Sequence, residues 1–369
     1  MYKEKRPFRS EFVPIRELSY HVQRWGGATG TASALPPLVL VHGWMDVAAS
    51  WQFMVDALSD AFAQGRTIIA PDWRGFGLTC SAEQRHVWDA QFSAGPPQGK
   101  LAPEGLEPAA PSLLEQVGTG DRGEASREPR PARPRALREV KSVGAADTYW
   151  FADYLADLDF LLDHYAPGLA VDLVGHSMGG NVAMLYAGVR PARIRKLVNL
   201  EGFGLPASQP SQAPARYAKW MDELKSLHRG ELDLKAYNDV DGVARRLMRT
   251  NPRLSADKAQ WLANHWARPD ASGKWRILGD AAHKITSAHL YRLDEALEIY
   301  RQISAPTLSV EASDDSLGTW WKGSYTLAHY HERLKQIAQA QVAVVQDAGH
   351  MLHHDQPEQL ARLIEGFLG

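Results

Sequence analysis

VDLVGHSMGGNVAMLYAG (residues 171–188) joins two patterns that belong to different secondary structures. Val171, Leu173 and Val174 make the apolar run a buried strand needs, and helix formers follow from Asn181. Between them stands Ser177, with Gly175 two positions before it and Gly179 two after. Glycine lets a strand turn abruptly into a helix without a Cβ clash. A serine on such a corner sits on a strained turn with its hydroxyl at the top of the sheet. The following helix points its first N–H groups and positive dipole end toward that hydroxyl, which favours a developing negative charge. Alone, Gly-x-Ser-x-Gly is a moderate signal; a strand before it and a helix after it make it strong.

Outward from this corner, strand-like and helical patterns alternate. LPPLVLVHG (35–43), RTIIAPDWRG (66–75), IRKLVNLEG (194–202), APTLSVEAS (305–313) and AQVAVVQDAGH (340–350) read as further strands. SWQFMVDALSDAF, WFADYLADLDFLLDHY, NVAMLYAGVR and PEQLARLIEGFL carry helical spacing. Continuous apolar strands alternating with helices predict an α/β fold, a mostly parallel sheet with helices on both faces.

Two stretches break the rhythm. Residues 206–295 read as helices and carry Trp220, Trp261, Trp266 and Trp275. Lying between two sheet strands, they would cover the carboxyl ends of the strands, where open α/β sheets bind ligands. The spacing therefore predicts a helical cap over 206–295 and a core of 1–205 and 296–369. Residues 82–146 are rich in Pro, Gly, Ala, Glu and Arg, with nine acidic and nine basic residues. So few large apolar side chains cannot offset the ordering entropy of an independent core, and a disordered insertion within the core is expected.

The chain of 369 residues has 44% hydrophobic and 23% charged residues, ordinary for a soluble globular protein. A formal charge of −2 gives no electrostatic reason to expect nucleic acid as a partner. The single cysteine, Cys80, excludes an internal disulfide and a cysteine-rich metal site, as suits a reducing cytoplasm. Neither a signal peptide nor an apolar run long enough to span a bilayer is visible, so a cytoplasmic location is expected.

A serine hydroxyl is a poor nucleophile near neutral pH and needs a base. His350, behind Gly349 at the end of the last strand, supplies one. The order Ser, acid, His expected of this architecture puts the acid at a strand end between them, where SDD offers Asp314 and Asp315. A carboxylate there would hold the imidazole tautomer and stabilise the imidazolium. VLVHGWMD ends an earlier strand, and its loop can supply an oxyanion-binding amide from Trp44 alongside that of Met178.

With VHGW, PDWRGFG, GHSMGG, SDD and AGH in this order, the sequence resembles the α/β-hydrolase superfamily of the serine type, and HGWMD followed by SWQFMV resembles its serine hydrolase-like subgroup. The resemblance covers nearly the whole chain apart from 82–146. By position after Pro306-Thr307, the family's acid falls on Asp315, although Ala312 stands where the family usually has glycine. Some relatives carry the acid after a different strand, which makes Glu201 in VNLEGFG a second candidate.

The resemblance implies an esterase acting through an acyl-enzyme, with Ser177 as nucleophile, His350 as base and Asp315 ahead of Glu201 as acid. Carbon–carbon, lactone and amide hydrolysis use the same groups, as fold does not fix substrate. A non-catalytic ligand-binding protein on the same scaffold is the alternative from another class. Trp44 and His176 are expected at the pocket wall, which would favour a small hydrophobic or aromatic acyl substrate. His42 is expected to brace the oxyanion loop, and His283 in the cap to make a structural hydrogen bond. HMLHHD spaces His350, His353 and His354 like metal ligands, but no HExxH or acidic cluster accompanies it. Neither a metal nor a cofactor is expected.

Overall fold

The computed structural model describes residues 2–26, 35–81 and 147–369, so the 82–146 insertion lies outside the described residues. Twelve strands are described. In chain order they are β1 (Arg9–Ile15), β2 (Leu18–Trp25), β3 (Leu38–Val41), β4 (Ile68–Pro71), β5 (Cys80–Ser81) and β6 (Val171–His176). Then come β7 (Ile194–Leu200), β8 (Ala236–Tyr237), β9 (Ala267–Pro269), β10 (Trp275–Ile277), β11 (Thr307–Ala312) and β12 (Ala340–Val345).

The main sheet has the order β1-β2-β4-β3-β6-β7-β11-β12, with β5 paired to β2. From β4 to β12 every neighbouring pair is parallel. Each residue of β3, β4, β6 and β11 is buried, as expected of a sheet covered on both faces. Alternation along a strand then sorts side chains into two cores. Leu38, Leu40 and Val174 join Trp51, Met54 and Ile364 on one face. Val39, Val41 and Leu173 join Leu158, Leu161 and Met184 on the other.

The N-terminal residues differ from the sequence reading, which placed no strand there. β1 and β2 form an antiparallel hairpin that closes one edge of the sheet. Val13, Ile15, Tyr20 and Val22 enter the core by simple alternation, while Ser19, His21 and Gln23 beside them are buried too. The expected helix in SWQFMVDALSDAF is also broken. A 3-10 turn leads into a helix over Gln52–Ala57, Leu58 is extended, and Ser59 caps a further turn by accepting from the Phe62 N–H.

Residues 206–295 contain helices Ala213–His228, Val240–Thr250 and Ala256–Trp266, as their spacing predicts. A small antiparallel sheet of order β8-β10-β9 lies among them, unread from sequence because its strands have two or three residues. This segment docks on the PDWRGFG turn through backbone hydrogen bonds, from Asp280 N to Gly75 O (2.9 Å) and from Gly77 N to Leu278 O (3.0 Å). His283 completes the joint, its ring stacked between Phe76 and Tyr149 at 3.8 Å from each. Among the described residues no helix is long and apolar enough to cross a membrane.

Buried charge is clamped in place. Asp157 accepts from Tyr20 Oη (2.6 Å), Arg74 Nε (2.6 Å) and Arg74 Nη2 (2.8 Å), which ties the helix Phe151–Tyr165 to β2 and to the PDWRGFG turn. Removing one partner of a buried pair strands the other, so Asp157→Ala should lower unfolding stability by about 3–5 kcal/mol. Urea denaturation measures this, and a loss no larger than for exposed Asp294→Ala would refute it.

Burial pulls the His283 ring down to about 3. Between that value and the ordinary value of 6.5, the unfolded chain binds a proton that the folded chain refuses. His283 therefore contributes its full stabilisation above about pH 6.5, and the contribution declines as the pH falls toward 3. The melting temperature should fall on acidification through this window, and less steeply in His283→Asn. Equal slopes in the two proteins would count against the assignment.

Candidate active site

β6 ends at His176 and the helix Met178–Val189 begins one residue after Ser177. Ser177 has φ 53° and ψ −116°, a conformation that L-residues rarely adopt. The flanking glycines make this corner sterically accessible. A Cβ on Gly175 would lie 2.4 Å from Gly179 O, and one on Gly179 would lie 2.3 Å from Val41 O. The Ser177 N–H donates to Leu200 O at 2.8 Å, which ties the corner to the end of β7.

His350 meets the serine from the loop after β12. Its Nε2 lies 2.9 Å from Ser177 Oγ, and its Nδ1 lies 3.2 Å from Glu201 Oε2. A carboxylate can only accept, so Nδ1 carries the proton and Nε2 is left to accept from the hydroxyl. Glu201 directly follows β7 at φ 55° and is 3% exposed. Its Oε1 accepts from the Ala312 N–H at 2.8 Å, so the neighbouring strand end fixes the carboxylate. Trp320 packs edge-on against His350 with ring centroids 4.4 Å apart.

Of the three carboxylates considered from sequence, Asp315, Asp314 and Glu201, the structure brings Glu201 to His350. Asp315 is exposed and caps the helix Ser316–Trp321, accepting from the Gly318 N–H at 2.7 Å. Asp314 pairs with Arg253 at 2.7 Å. The reason is local: β11 ends at Ala312, and the chain then turns into a helix whose first orphan N–H groups claim the side chain of Asp315.

The loop after β3 lies against the serine. A Cβ on Gly43 would sit 3.1 Å from Ser177 Cβ, so a larger residue there would need the serine to give way by a few tenths of an ångström. Trp44 follows, half-buried against the core, and Met178 opens the helix on the other side of Ser177. His42 braces the loop as expected. Its Nδ1 donates to Gly43 O (2.7 Å), its Nε2 accepts from the Trp73 N–H (2.9 Å), and burial holds its pKa below the ordinary value.

His176 is fully buried beneath the reacting pair, and its Nε2–H donates to the His350 carbonyl at 2.8 Å. Of the three HMLHHD histidines, only His350 reaches the serine; His353 and His354 are buried in the short helix behind it. Sequence reasoning missed two contributors to this region. Trp320 lies on a six-residue helix too short to show periodicity, and Asp46 stands in HGWMD with nothing in its spacing to mark it.

Comparison with known proteins gives the chain's family and fold. A Danio rerio serine hydrolase-like protein is 23% identical over 224 residues, 60% of this chain and 67% of that protein. A Mus musculus sn-1-specific diacylglycerol lipase is 24% identical over 199 residues, 53% of this chain and 58% of the lipase. The thioesterase domain from the curacin biosynthetic pathway superposes with a TM-score of 0.66 at 21% identity, covering 97% of this chain and 99% of the domain; the likeness is one of fold. The model of the alpha/beta hydrolase fold matches residues 36–357, and the chain belongs to that family of hydrolases.

Proposed function

We propose that this hydrolase cleaves carboxylic esters through an acyl-enzyme formed on Ser177. The observation that carries the reading is the hydrogen-bonded line Glu201–His350–Ser177 on a positive-φ elbow. His350 Nε2 takes the hydroxyl proton as Ser177 Oγ attacks the ester carbonyl. The amides of Trp44 and Met178 receive the oxyanion, assisted by the positive end of the elbow helix. His350 then gives its proton to the leaving alkoxide, and the acyl group remains on Ser177. Water adds by the same route in reverse, with His350 again as base, and releases the acid. Glu201 holds the imidazole tautomer and stabilises the imidazolium in both halves.

The helical segment 206–295 acts as a cap, Trp320 lies edge-on against His350, and Trp44 follows the glycine that meets Ser177. These aromatics suit a small hydrophobic or aromatic acyl group. The names of the two relatives, a serine hydrolase-like protein and a diacylglycerol lipase, point to the same class of chemistry.

A fluorophosphonate probe should label Ser177 in the native protein and not in Ser177→Ala. That variant should fold and lose roughly 10³-fold or more in ester turnover. Silence toward the probe would favour a binding protein on the same scaffold. A panel of acyl esters of rising chain length, with lactone and amide analogues, identifies the preferred bond.

Glu201→Gln should cut kcat by on the order of 10³-fold, because an amide cannot hold the productive tautomer. Asp315→Asn should leave kcat near the wild-type value and cost only helix-cap stability, about 1 kcal/mol or less. The reverse pattern in steady-state kinetics would move the acid to the end of β11.

A further inference from the structure

Behind the reacting pair, three chain segments deliver Asp46, His176 and His353 to one point. Asp46 comes from the loop after β3, His176 ends β6, and His353 lies in the helical turn Leu352–Asp355. They are 5%, 1% and 1% exposed, and each offers one ligand atom within 4.8 Å of the other two. Nothing in the ester chemistry uses them as a set.

Their hydrogen bonding leaves lone pairs unclaimed. Asp46 Oδ1 accepts from Ser50 Oγ and from Trp266 Nε1 (3.3 Å), while Oδ2 has no hydrogen-bond partner among the described residues. Oδ2 lies 4.0 Å from His353 Nε2. His176 donates its Nε2–H to the His350 carbonyl, so its Nδ1 is a bare acceptor, and that atom too is buried without a partner. Nδ1 of His353 is also buried without a partner, whichever of its two nitrogens carries the proton. Desolvated acceptors facing no donor are costly, and buried polar atoms are rarely left so.

From this arrangement we propose that Asp46, His176 and His353 form a binding site for a divalent transition-metal ion of the zinc class. Two imidazoles and one carboxylate are a known donor set for zinc with an open fourth position. Ligand atoms about 2.0 Å from a tetrahedral ion stand about 3.3 Å apart, so the three side chains need to close by at most about 1.5 Å. The outer contacts are of the kind that orient metal ligands: His176 is fixed by a backbone carbonyl through its other nitrogen, and Asp46 by a hydroxyl and an indole. A Cβ on Gly43 would lie 3.0 Å from His176 Nδ1, so the glycine also leaves that nitrogen's approach open. An ion here would sit beside the residue that precedes Ser177 and holds the His350 carbonyl.

Equilibrium dialysis of the whole protein against zinc should find one tight equivalent, and cobalt(II) should give the intense visible bands of a tetrahedral site. Asp46→Asn and His353→Gln should each weaken zinc binding at least about tenfold. His331→Gln, at a histidine outside the cluster, should leave it unchanged. Unchanged affinity in either buried variant, or loss in His331→Gln, overturns the site. Where a variant fails to fold, zinc-soaked crystals of the native protein decide. An anomalous-scattering peak bonded to all three side chains supports the proposal, and no peak among them refutes it.

Discussion

The molecule depends on one backbone conformation, the left-handed φ of Ser177. Such a residue costs on the order of 1–3 kcal/mol and persists only where its surroundings over-determine it. Here the helix backbone at Gly179 presses against the carbonyls of Val41 and His42, and Gly175 presses against Gly179. The Ser177 N–H is held by Leu200, and its carbonyl accepts from Asn181 at 3.0 Å. A larger side chain at either glycine would part the helix from the sheet and relax the turn. Strain at the serine and tight packing of the sheet are therefore one property seen from two sides.

The same logic places Glu201. β7 and β11 run parallel in register, with Val310 opposite Leu200, so their ends emerge side by side beneath His350. Glu201 adopts a second positive φ immediately past β7, which turns its carboxylate across the sheet to the Ala312 N–H and the imidazole. One oxygen is thus spent on the neighbouring strand and the other on the histidine. A carboxylate held twice in this way has little freedom to swing aside, and the His350 ring inherits its orientation.

Much of this was legible in the sequence because it rests on composition and short-range spacing. Buried parallel strands must be continuously apolar, and a serine elbow must have glycines at two fixed offsets. The N-terminal hairpin was not legible because its second face is buried polar: His21 bonds Asp72 at 2.7 Å, a partner 51 residues away. Burial pushes Asp72 up, but the His21 ring and the Ala48 N–H outweigh it and keep the carboxyl below its usual range. The choice between Asp315 and Glu201 was open for a similar reason. Both end adjacent strands, and what separates them is a helix cap on one and a neighbour's N–H on the other, neither of which spacing encodes. Asp46, His176 and His353 converge from positions 46, 176 and 353, and no local pattern announces that.

The histidines around the serine divide by solvent access, and this division organises the chemistry. His42, His176, His353 and His354 are all buried, and desolvation holds each below its ordinary pKa, so the layer beneath the serine carries neutral rings. A neutral layer adds no fixed positive charge that would oppose an imidazolium forming just above it. His350 alone in this group is partly exposed, at 23%, and it alone bridges a hydroxyl and a carboxylate. In the proposed reaction the proton moves at that ring because Glu201 accepts from its Nδ1 and compensates the charge. An ion bound at Asp46, His176 and His353 would add positive charge to this layer and so oppose the imidazolium at His350.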